Sequence, residues 1–335
     1  MDRTRGGVVH EVVSYTRWCR IRGGSVLKCR LGHAIVTAVD RHVPCPTYSV
    51  VVPAFNEERY IGDCLHSLAD QEFTGDYEII VVDNNSTDST ADIARASGAT
   101  VVQEAMPGVC SARQRGTEVA RGEIIISTDA DTTFQSDWLA SIDKTFDQNP
   151  ECIAVAGPCR FDGGPWWSAV YPRVLFGAVY LVYLITGYVF YASATNIAFR
   201  KSAWSGYNTN MTQGGDEVDL LRRLRSKGRV IFNLHNPSFT SSRRLKRGLF
   251  YNLLVSFVFY YLLAYWINRI AGRCVIRNAP AFRDDPTPKP TWYWPSRAAV
   301  AVVAVLFMLF PGRYVLDFGF GTVVEPVFDA VRRLF

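Results

Sequence analysis

The first regular pattern along the chain is a run of valines ending in proline at residues 49–53, which reads as a buried strand. Residues 56–70 follow, with Ile61, Leu65, Leu68 and Ala69 at helical spacing. A second strand is predicted over 78–83. Ser86 or Thr87 is placed to cap a helix through Arg95, with Asp88 and Asp92 near its positive end. Residues 100–103 read as a short third strand. A helix from about Ser111 to Ala120 leads through Arg121 and Gly122 into a fourth, over 123–129. Ser136 is placed to cap a helix to about Gln148, before a further strand at 152–156. Alternating strands and helices, with continuous Val/Ile strands, predict an α/β fold with a mostly parallel sheet and helices on both faces. Ligands of such a sheet bind beyond the carboxyl ends of its strands.

Longer apolar runs come later. Residues 174–192 and 249–267 each hold 19 residues without a charge, and 298–310 hold 13. About 20 residues span a bilayer, so the second run is the best membrane helix. Tyr251, Tyr265 and Trp266 near its ends suit an interfacial belt. A mean hydropathy of +0.04 fits a water-soluble domain with a membrane-seeking part. The net charge of +5 is segregated: +5 over residues 1–47, −9 over 48–227 and +9 over 228–335. Basic ends beside apolar runs read as membrane-surface contacts, not as a nucleic-acid footprint. None of the 8 cysteines lies in a C-x-x-C pair, so they read as reduced and structural, which favours a cytosolic domain. Residues 1–47 read as a basic N-terminal extension to which no function is assigned.

The strand ends carry the chemistry. No G-x-G-x-x-G follows the first strand and no Walker A sequence is present, which argues against dinucleotide and P-loop sites. Instead Asp129 and Asp131 stand two residues apart just beyond a strand. Such a pair can share a hard divalent cation with phosphate oxygens, and that cation would neutralise a diphosphate leaving group.

Five segments occur in a fixed order: Val50-Val-Val-Pro-Ala-Phe-Asn-Glu57; Val81-Val-Asp-Asn-Asn-Ser-Thr-Asp88; Gly108 with Ala112, Arg113 and Gly116; Thr128-Asp-Ala-Asp-Thr132; and Gly215-Asp-Glu-Val-Asp-Leu220 with Arg223. Over roughly residues 48–245 this set resembles the family 2 glycosyltransferases of the GT-A fold. The resemblance implies a Rossmann-like domain over 48–245 and membrane-associated helices within 246–335, at about 249–267 and 298–310. It implies that Pro53, Phe55, Glu57 and Asp83 hold the nucleotide, Asp83 accepting from the base, and that Arg113 lies near the nucleotide-sugar. The family often has Asp-Asp-Gly-Ser where this chain has Asp83, Asn84, Asn85 and Ser86, so only Asp83 is carried over.

By the same resemblance Asp131 is the direct ligand of Mn2+ or Mg2+, and Asp129 faces the ribose or the metal. Asp216 and Glu217 match a Glu-Asp pair with the two acids exchanged. Register makes Glu217 the general base and Asp216 the runner-up, while Asp219 is expected to face solvent. The lone His235 reads as structural. The implied partners are a UDP- or GDP-sugar donor, a lipid or glycan acceptor, and a membrane, with the catalytic domain on the cytosolic side. A polyprenyl-phosphate sugar synthase, a retaining transferase and a catalytically silent membrane scaffold remain as alternatives.

Two features bear on the membrane. The run at 174–192 lies between Asp131 and Glu217, which must meet on one side of a bilayer. A single crossing is therefore impossible, and the run lies in the interface, re-enters, or packs inside. An interfacial helix on the acceptor side is expected, with Asn196 following it. Arg243, Arg244, Lys246 and Arg247 precede the second run and read as a juxtamembrane anchor to anionic lipid; the sharper alternative is an Arg that reaches a phosphate.

Overall fold

In a computed structural model the described residues are 46–209, 216–264, 267, 268 and 276. The remainder of the basic extension, the run at 298–310, and Gly214 and Gly215 lie outside them. The first strand, β1 (Tyr48–Ala54), is buried along its whole length, which is why its apolar run has no polar interruption. It lies between β2 (Tyr77–Asp83) and β4 (Ile124–Ser127), parallel to both, and β3 (Thr100–Gln103) extends the parallel set beyond β2. Beyond β4 the sheet becomes mixed. β8 (Ile197–Arg200) runs antiparallel to β4 and to β6 (Cys152–Ala156), and β9 (Arg229–Phe232) runs parallel to β6. The order is β3-β2-β1-β4-β8-β6-β9, a mostly parallel sheet of seven strands.

The period of two along β1 sorts its side chains into two cores. Val50, Val52 and Ala54 pack with α1 (Ile61–Ala69) and α4 (Trp138–Gln148) through Leu65, Trp138 and Ile142. Val51 faces the opposite core, with α3 (Val109–Val119) and α6 (Asp216–Arg225) through Ala112, Leu221 and Leu224. Fully burying one such Val or Leu is worth about 1.5–3 kcal/mol. Gly116 lets α3 come close to the sheet: a Cβ there would stand 2.3 Å from Val51 Cγ1 and 2.9 Å from Val82 Cγ2. Gly116→Ala should therefore cost about 1–3 kcal/mol, read as a lower urea midpoint at unchanged slope.

A small second sheet sits beside the end of β4. Its order is β5-β10-β7, formed by Thr132–Thr133, Ser238–Ser241 and Cys159–Asp162. The Ser241 N–H donates to the Asp131 carbonyl, which brings the turn at Ser242–Arg247 against the Asp129–Asp131 loop.

Three predicted helix starts shift for local reasons. Residues 57–60 close into a turn after the left-handed Asn56 (φ 54°), so α1 begins at Ile61. Ser86 and Thr87 do not cap α2 (Thr90–Ala96). Ser86 Oγ accepts from the Asn56 N–H, and the Thr87 N–H donates to Asn56 Oδ1. Ser136 bonds Glu72 instead of capping α4.

The first apolar run belongs to α5 (Trp167–Thr186). Only a narrow stripe of it, Ser168, Pro172, Phe176 and Val179, is buried, with Phe176 stacked on Tyr191 and Phe232. Val174, Leu181, Leu184 and Ile185 are exposed, Ile185 to 75%. By length and composition α5 is sufficient to cross a membrane. Of the second run, Tyr251–Ala264 is π-helical. Cys64, Cys110, Cys152 and Cys159 are buried and outside any disulfide.

Candidate active site

The ends of β1, β2 and β4 converge with the first turn of α6. Pro53 is buried one residue before the end of β1, Phe55 is half-buried, and Glu57 is buried just beyond. The Glu57 N–H donates to Thr90 Oγ1 (2.7 Å), so this loop is tied to the start of α2. At the end of β2, Asp83 accepts from the Ser86 N–H (3.0 Å) and from Gln103 Nε2 (2.8 Å). A carboxylate offers about four acceptor directions, so these bonds leave capacity for a ligand donor.

The departure at Asn84 has a structural reason. Its amide donates to the carbonyls of Glu104 and Met106, and its oxygen accepts from the Gly108 N–H (2.7 Å) ahead of α3. A carboxylate at this place has no hydrogen to give those two carbonyls.

Two arginines organise the acids. Arg113, 2% exposed, reaches Asp129 with Nη2 (2.6 Å) and Asp216 with Nη1. It is thus not an exposed helix arginine. Burial works against its charge, but Asp216 and Asp129 outweigh burial and hold its pKa above the ordinary value. Arg243 grips Glu57 through both nitrogens (2.8 and 2.7 Å) and reaches Asp131 Oδ2 (3.0 Å). Its Cζ lies 5.0 Å from the Tyr60 ring centre. The expected lipid anchor at 243 is therefore corrected: the side chain turns into the site, because two carboxylates at strand ends attract a guanidinium more strongly than water does when partly buried.

Asp131 also accepts from Thr240 Oγ1 (3.3 Å). Asp129 and Asp131 are hard oxygen donors, and among the described residues no group of three or more His, Cys, Asp or Glu is placed to hold a metal ion by itself. That donor set fits magnesium or manganese completing its shell with phosphate and water, as opposed to an all-protein cage.

On the far side stand Asp216 and Glu217, in the first turn of α6, where acids are favoured by the helix dipole. Glu217 is 3% exposed and its Oε2 has no hydrogen-bond partner. Burial, with the Asp216 charge behind it, pushes its carboxyl well above the usual carboxylate range. Asp219 does not face solvent: it is buried and pairs with Arg222 (2.9 Å) and Arg223 (2.8 Å), three and four residues further along the same helix. His235 is exposed. Asn196 is a structural hub, accepting from Trp138 Nε1 and donating to the carbonyls of Pro158 and Asn236.

A mostly parallel sheet with helices on both faces and paired aspartates beyond the end of β4 defines a GT-A-type α/β fold. Residues 49–206 match the profile of Glycosyl transferase family 2. Glycosyltransferase AglE of Haloferax volcanii is 33% identical over 101 residues, 28% of this chain and 33% of the relative. Uncharacterized glycosyltransferase EpsJ of Bacillus subtilis is 33% identical over 117 residues, 33% of this chain and 34% of the relative. The matched stretch thus spans about a third of the length of these curated relatives. In fold the chain is similar to mannosyltransferase PcManGT of Pyrobaculum calidifontis, solved with GDP-Man and Mn2+. That likeness has a TM-score of 0.55 and 21% identity, covering 88% of this chain and 82% of the other.

Proposed function

We propose that this protein is a metal-dependent, inverting glycosyltransferase that moves a sugar from a nucleoside diphosphate to an acceptor hydroxyl. The observation that carries the reading is the line Asp131, Asp129, Arg113, Asp216, Glu217. It runs from a cation-suited carboxylate beyond a strand end to a buried carboxyl with an unpartnered oxygen in the first turn of α6. Asp131, with Asp129, would hold the divalent cation, which supplies charge neutralisation to the departing diphosphate. Asp83 holds the base, and the loop Pro53–Phe55–Glu57 floors the nucleoside. Arg113 fixes Asp129 and Asp216 relative to one another. Glu217 takes the acceptor's proton as the acceptor oxygen bonds to the anomeric carbon and the carbon–diphosphate bond breaks on the opposite face. A raised carboxyl pKa suits that task, because a general base works best with a pKa near the working pH.

The exposed apolar face of α5 supports a bilayer-associated enzyme with a lipid-linked acceptor. Free buried thiols suit a domain in the cytosol. A silent scaffold has no use for a buried carboxyl with an unpartnered oxygen, since such a group costs stability.

The test is thermal stabilisation of the detergent-purified protein by UDP-, GDP- and TDP-sugars with Mn2+. Stabilisation of about 2.7 kcal/mol is expected for the true donor at 100 times its dissociation constant. It should vanish with EDTA and in Asp131→Ala. A shift that survives both would sink the metal-dependent reading.

A further inference from the structure

We infer that Arg243 is a tethered counter-cation that occupies the metal side of the donor site until a diphosphate arrives, so that nucleotide binding tightens metal binding. The inference rests on the proposed function of Asp131 as a metal ligand. The Arg243 fork has three short contacts, two to Glu57 and one to Asp131 Oδ2. The contacted Asp131 oxygen is one a hard cation would use. Two positive centres cannot share it at contact distance in a partly buried place without strong repulsion. Metal entry therefore requires the guanidinium to let go of Asp131.

Its destination follows from chemistry. A planar guanidinium binds two oxygens of a phosphate as readily as two oxygens of a carboxylate. Without a diphosphate, displacement leaves Arg243 a weaker set of partners, and the metal must compete against the intact Glu57–Arg243–Asp131 cluster. With a diphosphate, phosphate oxygens receive both the metal and the displaced guanidinium. The neighbouring elements fit an exchange of this kind. Arg243 stands two residues past β10, on a turn that buries Leu245 and ends at the left-handed Gly248, so the backbone is anchored while the side chain is long enough to swing.

Mn2+ affinity, followed by the electron paramagnetic resonance of the free ion, tests this in the full chain, alone and with UDP or GDP. In Arg243→Ala, Mn2+ alone should bind at least tenfold more tightly than in the wild type. The tightening of Mn2+ by UDP or GDP should shrink at least tenfold. Mn2+ binding to Arg243→Ala that is no tighter than wild type overturns the inference. If the alanine variant fails to fold, Arg243→Lys, which keeps the charge but loses the fork, should shift both quantities in the same direction at least threefold, and no shift overturns the inference. Asp131→Asn separates the two failures. Loss of Mn2+ binding in Asp131→Asn keeps the metal reading whatever Arg243 does. Unchanged Mn2+ binding in Asp131→Asn with both nucleotides removes the metal reading, and this inference with it.

Discussion

Glu217→Gln should lower kcat about 10²–10⁴-fold while making the folded protein more stable at neutral pH. The two halves of this result have one cause. The Glu217 carboxyl is buried, has an oxygen without a partner, and lies beside Asp216, so its ionised form is disfavoured in the folded chain. A folded-state pKa raised above the ordinary value near 4.3 means that the native state holds this proton more tightly than the unfolded one. The stabilising contribution is fully present below that ordinary value and is lost as pH rises through the folded pKa. The amide does not titrate, so the difference in Tm between Glu217→Gln and wild type should grow as pH rises over that window. Turnover at saturating donor and melting from acid to neutral pH check both halves. Full kcat in the amide variant would remove Glu217 as base. It would instead favour an acceptor, such as a phosphate, that needs no deprotonation.

Arg113→Leu should destabilise the protein by about 3–5 kcal/mol, the largest stability loss expected from any single site residue. Its side chain is the shared counter-charge of Asp129 and Asp216, which come from β4's end and α6's start, far apart in sequence. Removing it leaves two carboxylates facing each other, Asp216 buried and Asp129 partly buried. Arg113→Lys keeps one charge yet cannot fork between the two acids, so it should fall between wild type and leucine. Urea midpoints of the three proteins decide the order. A leucine variant as stable as wild type would show that the acids are otherwise satisfied.

What could be read from residues alone follows the physics of each element. β1, β2 and β4 were legible because strands buried on both faces need unbroken Val and Ile. The strands β5, β7 and β10 were not, since they are two to four residues long, partly polar, and paired across more than a hundred positions between β5 and β10. Asp131 stood out as half of a spaced acidic pair. Arg243 did not. Its partner Glu57 lies 186 positions earlier, and a basic cluster before an apolar run has a sufficient local explanation as a membrane anchor. The expected caps at Ser86 and Ser136 failed for a similar reason, because tertiary partners claimed those hydroxyls first. The family resemblance placed Glu217 in the sequence, but only burial and an orphaned oxygen give that position a chemical character.

The turn at Ser242–Arg247 also bears on where the chain can be shortened. Leu245 is buried within this turn, and Arg243 knots the turn to the loop after β1. A protein trimmed before Ser242 to shed its apolar tail would leave Glu57 without its bidentate partner. Trimming just past Gly248, whose positive φ of 86° redirects the backbone, keeps that pair. The seam between the water-facing body and its greasy extension therefore lies a few residues further along than the last strand suggests.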